Sequence, residues 1–156
     1  MIQCSAKKAF QQLGPVVLSK TKPLSRIVGG GVQCKFSSSI SRIGTSDPRM
    51  SKVVVHNKVV YTSGLVDLEG DGVKEQTTNV LKEVDELLEE AGTSKSNLLT
   101  ASIWLKDIET DFADVNEVWV DWMDPQSKPV RATVESPMAR PEILVEIQVT
   151  AAAGTD

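Results

Sequence analysis

The chain is poor in the side chains on which most covalent and metal chemistry relies. Of its 156 residues two are cysteines, Cys4 and Cys34, and one is a histidine, His56. Everything beyond Cys34 is cysteine-free, which excludes a disulfide framework, a thiol nucleophile and a Cys-based metal site from that part. A lone histidine supports neither a zinc site nor a Ser-His triad, and His56 reads as a surface turn residue. There is no GxGxxG, no P-loop and no internal repeat, so the usual nucleotide cofactors have no support. No apolar run is long enough to span a bilayer.

Acid is missing from one region altogether. Residues 1 to 46 hold seven of the 17 basic residues and none of the 21 acidic ones, so the remainder carries ten bases against 21 acids, a net of −11. Two parts of opposite charge are not one folding unit by composition. An acid-free segment with scattered bases, Gly29-Gly30-Gly31 and Ser37-Ser38-Ser39 resembles an organellar transit peptide. Ala6, Phe10 and Leu13 beside Lys7 and Lys8 suit mitochondrial import, with a plastid as the alternative destination. The expected division is a leader over residues 1–41 and one domain over 42–156, with the mature chain starting between about Val32 and Asp47. A basic tail for an acidic partner or nucleic acid is the competing reading.

Within the domain the hydrophobic period changes several times. Val53 to His56 and Val59 to Ser63 are β-branched runs around Asn57-Lys58, the length of a two-residue hairpin turn; Asn57 suits positive φ and Lys58 does not. Val80, Leu81, Val84, Leu87, Leu88 and Ala91 form one stripe of a helix expected over 73–91, with Gly92 as its stop. Leu99, Ala101, Ile103 and Leu105 alternate as a strand. A second helix over about 111–123 presents Phe112, Val115, Trp119, Trp122 and Met123. Asn116 sits among these, as a bracket for a loop backbone or as a site residue. The order of elements favours an α+β layer with two helices on one face of a mixed sheet. Val53, Val55, Ile103, Val145 and Ile147 then predict that the other face is covered, by another copy of the chain.

The last two strands carry the candidate site. Val130, Ala132 and Val134 alternate with Arg131, Thr133 and Glu135; Ile143, Val145, Ile147 and Val149 alternate with Leu144, Glu146, Gln148 and Thr150. Ser136 to Pro141, with two prolines, reads as a hairpin loop. Symmetric pairing about it sets Arg131 directly across from Glu146, with Cβ atoms roughly 4.5–5.5 Å apart. Such a pair can grip a carboxylate and move a proton beside it; cross-strand Arg–Glu pairs are also common solvated decoration.

Across Arg42 to Ala152 the residues resemble the Rid family of reactive-intermediate deaminases, also called YjgF-like. The resemblance rests on Ile43-Gly44, Tyr61-Thr62-Ser63-Gly64, Glu75-Gln76-Thr77, Leu88 to Gly92, Phe112 to Trp119 with Val115-Asn116, Pro129 to Glu135 and Val145-Glu146-Ile147, in that order and spacing. It implies a mixed six-stranded sheet with two helices on one face, chorismate-mutase-like, in a barrel-like homotrimer with sites between subunits. It further implies hydrolysis of 2-imino and 2-enamino acids to 2-oxo acids and ammonia, without metal or organic cofactor; no nucleic acid partner is expected from the net −11 beyond residue 46, and no membrane from the lack of a long apolar run. Carried over by position, Arg131 binds the substrate carboxylate, Glu146 is the acid near the imine, Ser63 and Gly64 form a wall, Asn116 is a support, and the backbone of Thr133 faces the ligand. Thr133 stands where the family commonly has cysteine, and Met50 where it has tyrosine. These departures favour the alternative, a non-catalytic metabolite-binding or regulatory trimer of the same fold; the retained Arg131 and Glu146 oppose it.

Overall fold

The computed structural model describes residues 39–154. The expected leader therefore lies, up to residue 38, outside the described residues, as do both cysteines. The strands are β1 (Ser41–Ile43), β2 (Val53–His56), β3 (Val59–Thr62), β4 (Leu65–Val66), β5 (Leu98–Leu105), β6 (Val130–Glu135) and β7 (Val145–Ala152). The helices are α1 (Val73–Glu90) and α2 (Ile108–Trp122), with a 3-10 turn at Lys95–Asn97.

Each helix is bounded by chemistry visible in its sequence. α1 ends in a Schellman motif: Thr93 N–H donates to Leu88 O at 2.9 Å, Gly92 N–H donates to Glu89 O at 2.9 Å, and Gly92 takes φ +75°. α2 starts at Asp107, whose carboxylate accepts from the amides of Glu109 and Thr110 at 3.0 and 3.1 Å. In the hairpin turn both Asn57 (φ 49°) and Lys58 (φ 62°) take positive φ, as a type I′ turn requires, so Lys58 accepts the strain that glycine would avoid.

The sheet runs β1-β2-β3-β7-β5-β6, with β4 also paired to β7. All contacts are antiparallel except β5–β6, which is parallel and joined through α2. The six strands expected are these seven with β3 and β4 counted as one. Two expectations are corrected. The sheet is not barrel-like: it is open, with β1 and β6 as its two unjoined edges, and a barrel requires those edges to pair. Finally, β6 and β7 are not a hairpin, because β5 lies between them and pairs with both.

β3 and β4 are one strand interrupted by a bulge. Tyr61 pairs Thr150, but Leu65 pairs Ile147, so four steps on one strand match three on the other. Side chains fill the broken ladder: Val149 N–H donates to Thr62 Oγ1 at 3.0 Å, and Gln148 Nε2 donates to Thr62 O at 3.0 Å. The extra residue falls in Thr62-Ser63-Gly64, and the bulge thereby fixes the direction of Ser63 and Gly64.

The helices cover one face of the sheet. Val80, Leu81, Val84 and Leu88 of α1 and Val115 of α2 are buried against Val53, Val60, Ala101, Ile103, Leu105, Val145, Ile147 and Val149. Four of the five residues expected to need cover from another copy, Val53, Ile103, Val145 and Ile147, are thus already buried in this core, and Val55 packs against it. The uncovered face carries a different apolar set. By register it includes Val54, Tyr61, Trp104, Val130 and Val134, of which Tyr61, Val130 and Val134 are 45%, 71% and 47% exposed.

Buried Gln76 ties the layers together. Its Nε2 donates to Glu142 O at 2.8 Å and its Oε1 accepts from Leu144 N–H at 2.9 Å, so one amide satisfies both backbone groups of the chain leading into β7.

Candidate active site

Arg131 lies near the start of edge strand β6 and, being paired with Ala101, shares the helix-covered face. Its Nη2 donates to Asn116 Oδ1 at 2.7 Å, and its Cζ sits 5.3 Å from the centroid of the Trp119 ring. Asn116 and Trp119 are one helical turn apart on α2, so the helix presents an acceptor and a π-face together. A hydrogen bond to a charged group stabilises by about 1.5–3 kcal/mol and a cation–π contact by about 0.5–2. Burial lowers the guanidinium from its ordinary pKa, with no carboxylate paired to it among the described residues. Arginine stays cationic regardless, so the site holds a partly desolvated positive charge with donors to spare. Asn116 is therefore the bracket of a side chain, not of a loop backbone.

Thr133 follows two residues along on the same face, and its Oγ1 is buried without a hydrogen-bond partner. A buried hydroxyl left unpaired costs about 1–3 kcal/mol, a cost that a bound polar ligand removes.

A second group forms at the bulge. Ser63 Oγ is also buried and unpartnered. Gly64 lies against Glu146: a Cβ there would collide with Glu146 Oε1 and stand 2.9 Å from the carboxyl carbon. Only glycine leaves this carboxylate where it is. A groove of about 180 Å³ opens beside these residues, lined by Met50, Lys52, Ser63, Gly64, Leu65, Val66 and Glu83, with Lys52 Nζ on Glu83 Oε1 at 2.5 Å. Met50 thus stands next to Ser63 and Gly64, but the sequence had given no role to Lys52 or Glu83.

The two groups do not meet within one chain. Arg131 is in line with Ala101 and Val149, whereas Glu146 pairs Trp104 and Val66, three residues nearer the start of β7. An odd offset sets Glu146 on the uncovered face, opposite to Arg131. Two strand spacings, roughly 10 Å, add to the separation. The cross-strand Arg131–Glu146 pair expected from a hairpin is thereby overturned. What the structure does assemble is Arg131 with Asn116 and Thr133, and Glu146 with Ser63 and Gly64. Trp119 completes the first group; its place in a helical stripe had marked it as core only. His56 ends β2, half-buried, ahead of the turn where a surface residue was expected. Among the described residues no cluster of His, Cys, Asp or Glu is arranged to hold a metal, and no helix is long and apolar enough to cross a membrane.

An α+β sheet whose arginine is braced by a helix asparagine, with a glycine-backed glutamate at a strand bulge, defines the class. Residues 41–153 match the family model described as Endoribonuclease L-PSP. The chain is 43% identical over 106 residues to a RutC family protein of Haemophilus influenzae, covering 66% of this chain and 90% of that protein. It is 40% identical over 108 residues to the RutC family protein YoaB of Escherichia coli K12, covering 69% and 93%. The crystal structure of a YjgF family member from Neisseria meningitidis superposes with a TM-score of 0.74 at 39% identity, covering 76% of this chain and 98% of that one. The chain belongs to the Rid/YjgF-like family, which includes the RutC and RidA proteins.

Proposed function

We propose that this protein hydrolyses 2-imino and 2-enamino acids to 2-oxo acids and ammonia, as a homotrimer whose sites lie between subunits. The observation that carries the reading is the braced Arg131, a guanidinium fixed from below by Asn116 and Trp119 with N–H groups left for an anion. A planar fork binds a carboxylate through two charge-assisted hydrogen bonds and so fixes both position and orientation.

The split geometry supports the subunit arrangement. Arg131 and Glu146 occupy opposite faces of their own sheet, and the uncovered face exposes Tyr61, Val130 and Val134. Where that face packs against the β6 edge of a second copy, its apolar surface is buried and its Glu146 supplies the acid that the neighbour's Arg131 lacks at home. In the proposed reaction water adds to the protonated imine carbon. Glu146 accepts a proton from the water and returns it to nitrogen, and the carbinolamine loses ammonia to leave the 2-oxo acid. No covalent intermediate, metal or organic cofactor is needed. Free imines already hydrolyse, so an acid–base contribution of about 10²–10⁴-fold is sufficient.

The test is to generate 2-aminoacrylate or 2-iminobutanoate in situ and follow imine loss. Wild type should outpace buffer, Arg131→Ala should match buffer, and Arg131→Lys should fall close to it because an ammonium lacks the paired fork. Equal rates in all three sink the reading. The second reading, a metabolite-binding trimer without turnover, is favoured by Met50 in the groove and Thr133 beside Arg131. Calorimetric binding of 2-oxo acids without imine turnover would establish it. RNA cleavage is disfavoured by the net −11 beyond residue 46, since phosphate contacts supply most non-specific affinity. A mitochondrion, or alternatively a plastid, is the proposed location.

A further inference from the structure

A cleft of about 260 Å³ lies between the end of α2 and the segment leading into β6, lined by Trp119, Val120, Met123, Pro125 and Lys128. Its walls are apolar apart from Lys128, whose stem can line it while the ammonium stays in water. Trp119 is a wall of the cleft and is also the ring over which Arg131 sits at 5.3 Å. The cleft and the carboxylate clamp therefore share the Trp119 indole.

We propose that this cleft receives the ligand's side chain and selects 2-imino acids with aromatic or large branched side chains over alanine-sized ones. The inference rests on Arg131 being the carboxylate clamp proposed above. In a 2-imino acid the carboxylate and the side chain are attached to the same carbon, so a ligand clamped at Arg131 keeps its side chain close to the indole that walls the cleft. The volume suits the occupant: a dry cavity of about 150 Å³ holds benzene, so a phenyl or isobutyl group is admitted here, whereas a methyl leaves the cleft largely unfilled. Val120, 69% exposed, forms an open rim through which the group enters.

The experiment compares imines made in situ from phenylalanine, leucine and alanine by an amino-acid oxidase with catalase present, and in parallel measures calorimetric binding of phenylpyruvate and pyruvate. The phenylalanine- and leucine-derived imines should show kcat/KM about 10- to 100-fold above the alanine-derived one, the range a hydrophobic pocket gives. Val120→Trp, which fills the cleft from its rim, should bring that ratio near unity, and Val120→Ala should retain it. Should no imine be turned over while phenylpyruvate binds at least tenfold tighter than pyruvate and Val120→Trp abolishes the difference, the deaminase reading fails and the cleft assignment stands. Equal kcat/KM for the three imines, or equal affinities for the two oxo acids, overturns the cleft assignment.

Discussion

Gly64 shows how much of a site can depend on a missing side chain. Its Cα faces the Glu146 carboxylate so closely that a methyl group displaces it. Gly64→Ala should therefore fold, since the position is half-buried at the bulge between β3 and β4, yet lower imine turnover about 10- to 100-fold, because small displacements of a catalytic group are costly. Near-wild-type kcat/KM with a normal melting temperature would remove Glu146 from the proposed chemistry. At this scale the sequence was legible where spacing carries the information. Asn116 lies four residues after Phe112 and three before Trp119, which turns its amide toward the sheet, and the structure finds it on Arg131. Trp119 was not legible as a site residue, because a large aromatic on a helical stripe is indistinguishable from core until its neighbour is known. Lys52 and Glu83 pair across 31 residues of sequence, a contact no local pattern announces.

Among the elements, α1 shows how a buried amide holds a loop. Gln76 sits on its apolar face and completes the hydrogen bonding of Glu142 and Leu144, so Gln76→Ala leaves a buried N–H and C=O unpaired beside a small cavity. The expected loss is about 1–3 kcal/mol in chemical denaturation, with Gln76→Met, which keeps volume but not the hydrogen bonds, losing a similar amount. A Met variant as stable as wild type would show that shape alone matters there. The strands expected at 53–56, 59–63, 99–105 and 130–135 all appear within a residue of those bounds. Their partners did not follow. Periodicity says which residues share a face, but β6 joins the sheet through a helix crossover, so its neighbour β5 is set by non-local packing. A proline-rich loop of suitable length suggested a hairpin, and only the intervening strand contradicts it. β1 and β4 have three and two residues, too few to show a period.

For the whole molecule, the faces of the sheet govern the functional account. Helices bury one face; the other leaves Tyr61, Val130 and Val134 in contact with water. Arg131 and Glu146 are divided between them, and a site needing both is complete only where two copies meet. The most direct measurement is subunit complementation. Arg131→Ala and Glu146→Gln, each inactive alone, are unfolded together and refolded as mixed assemblies, and imine turnover is then measured. A cyclic trimer with random mixing restores both wild-type groups at about a quarter of its sites, so about a quarter of wild-type activity should return. No recovery in mixed assemblies of confirmed composition, with both single variants correctly folded, would contradict a site shared between neighbouring chains.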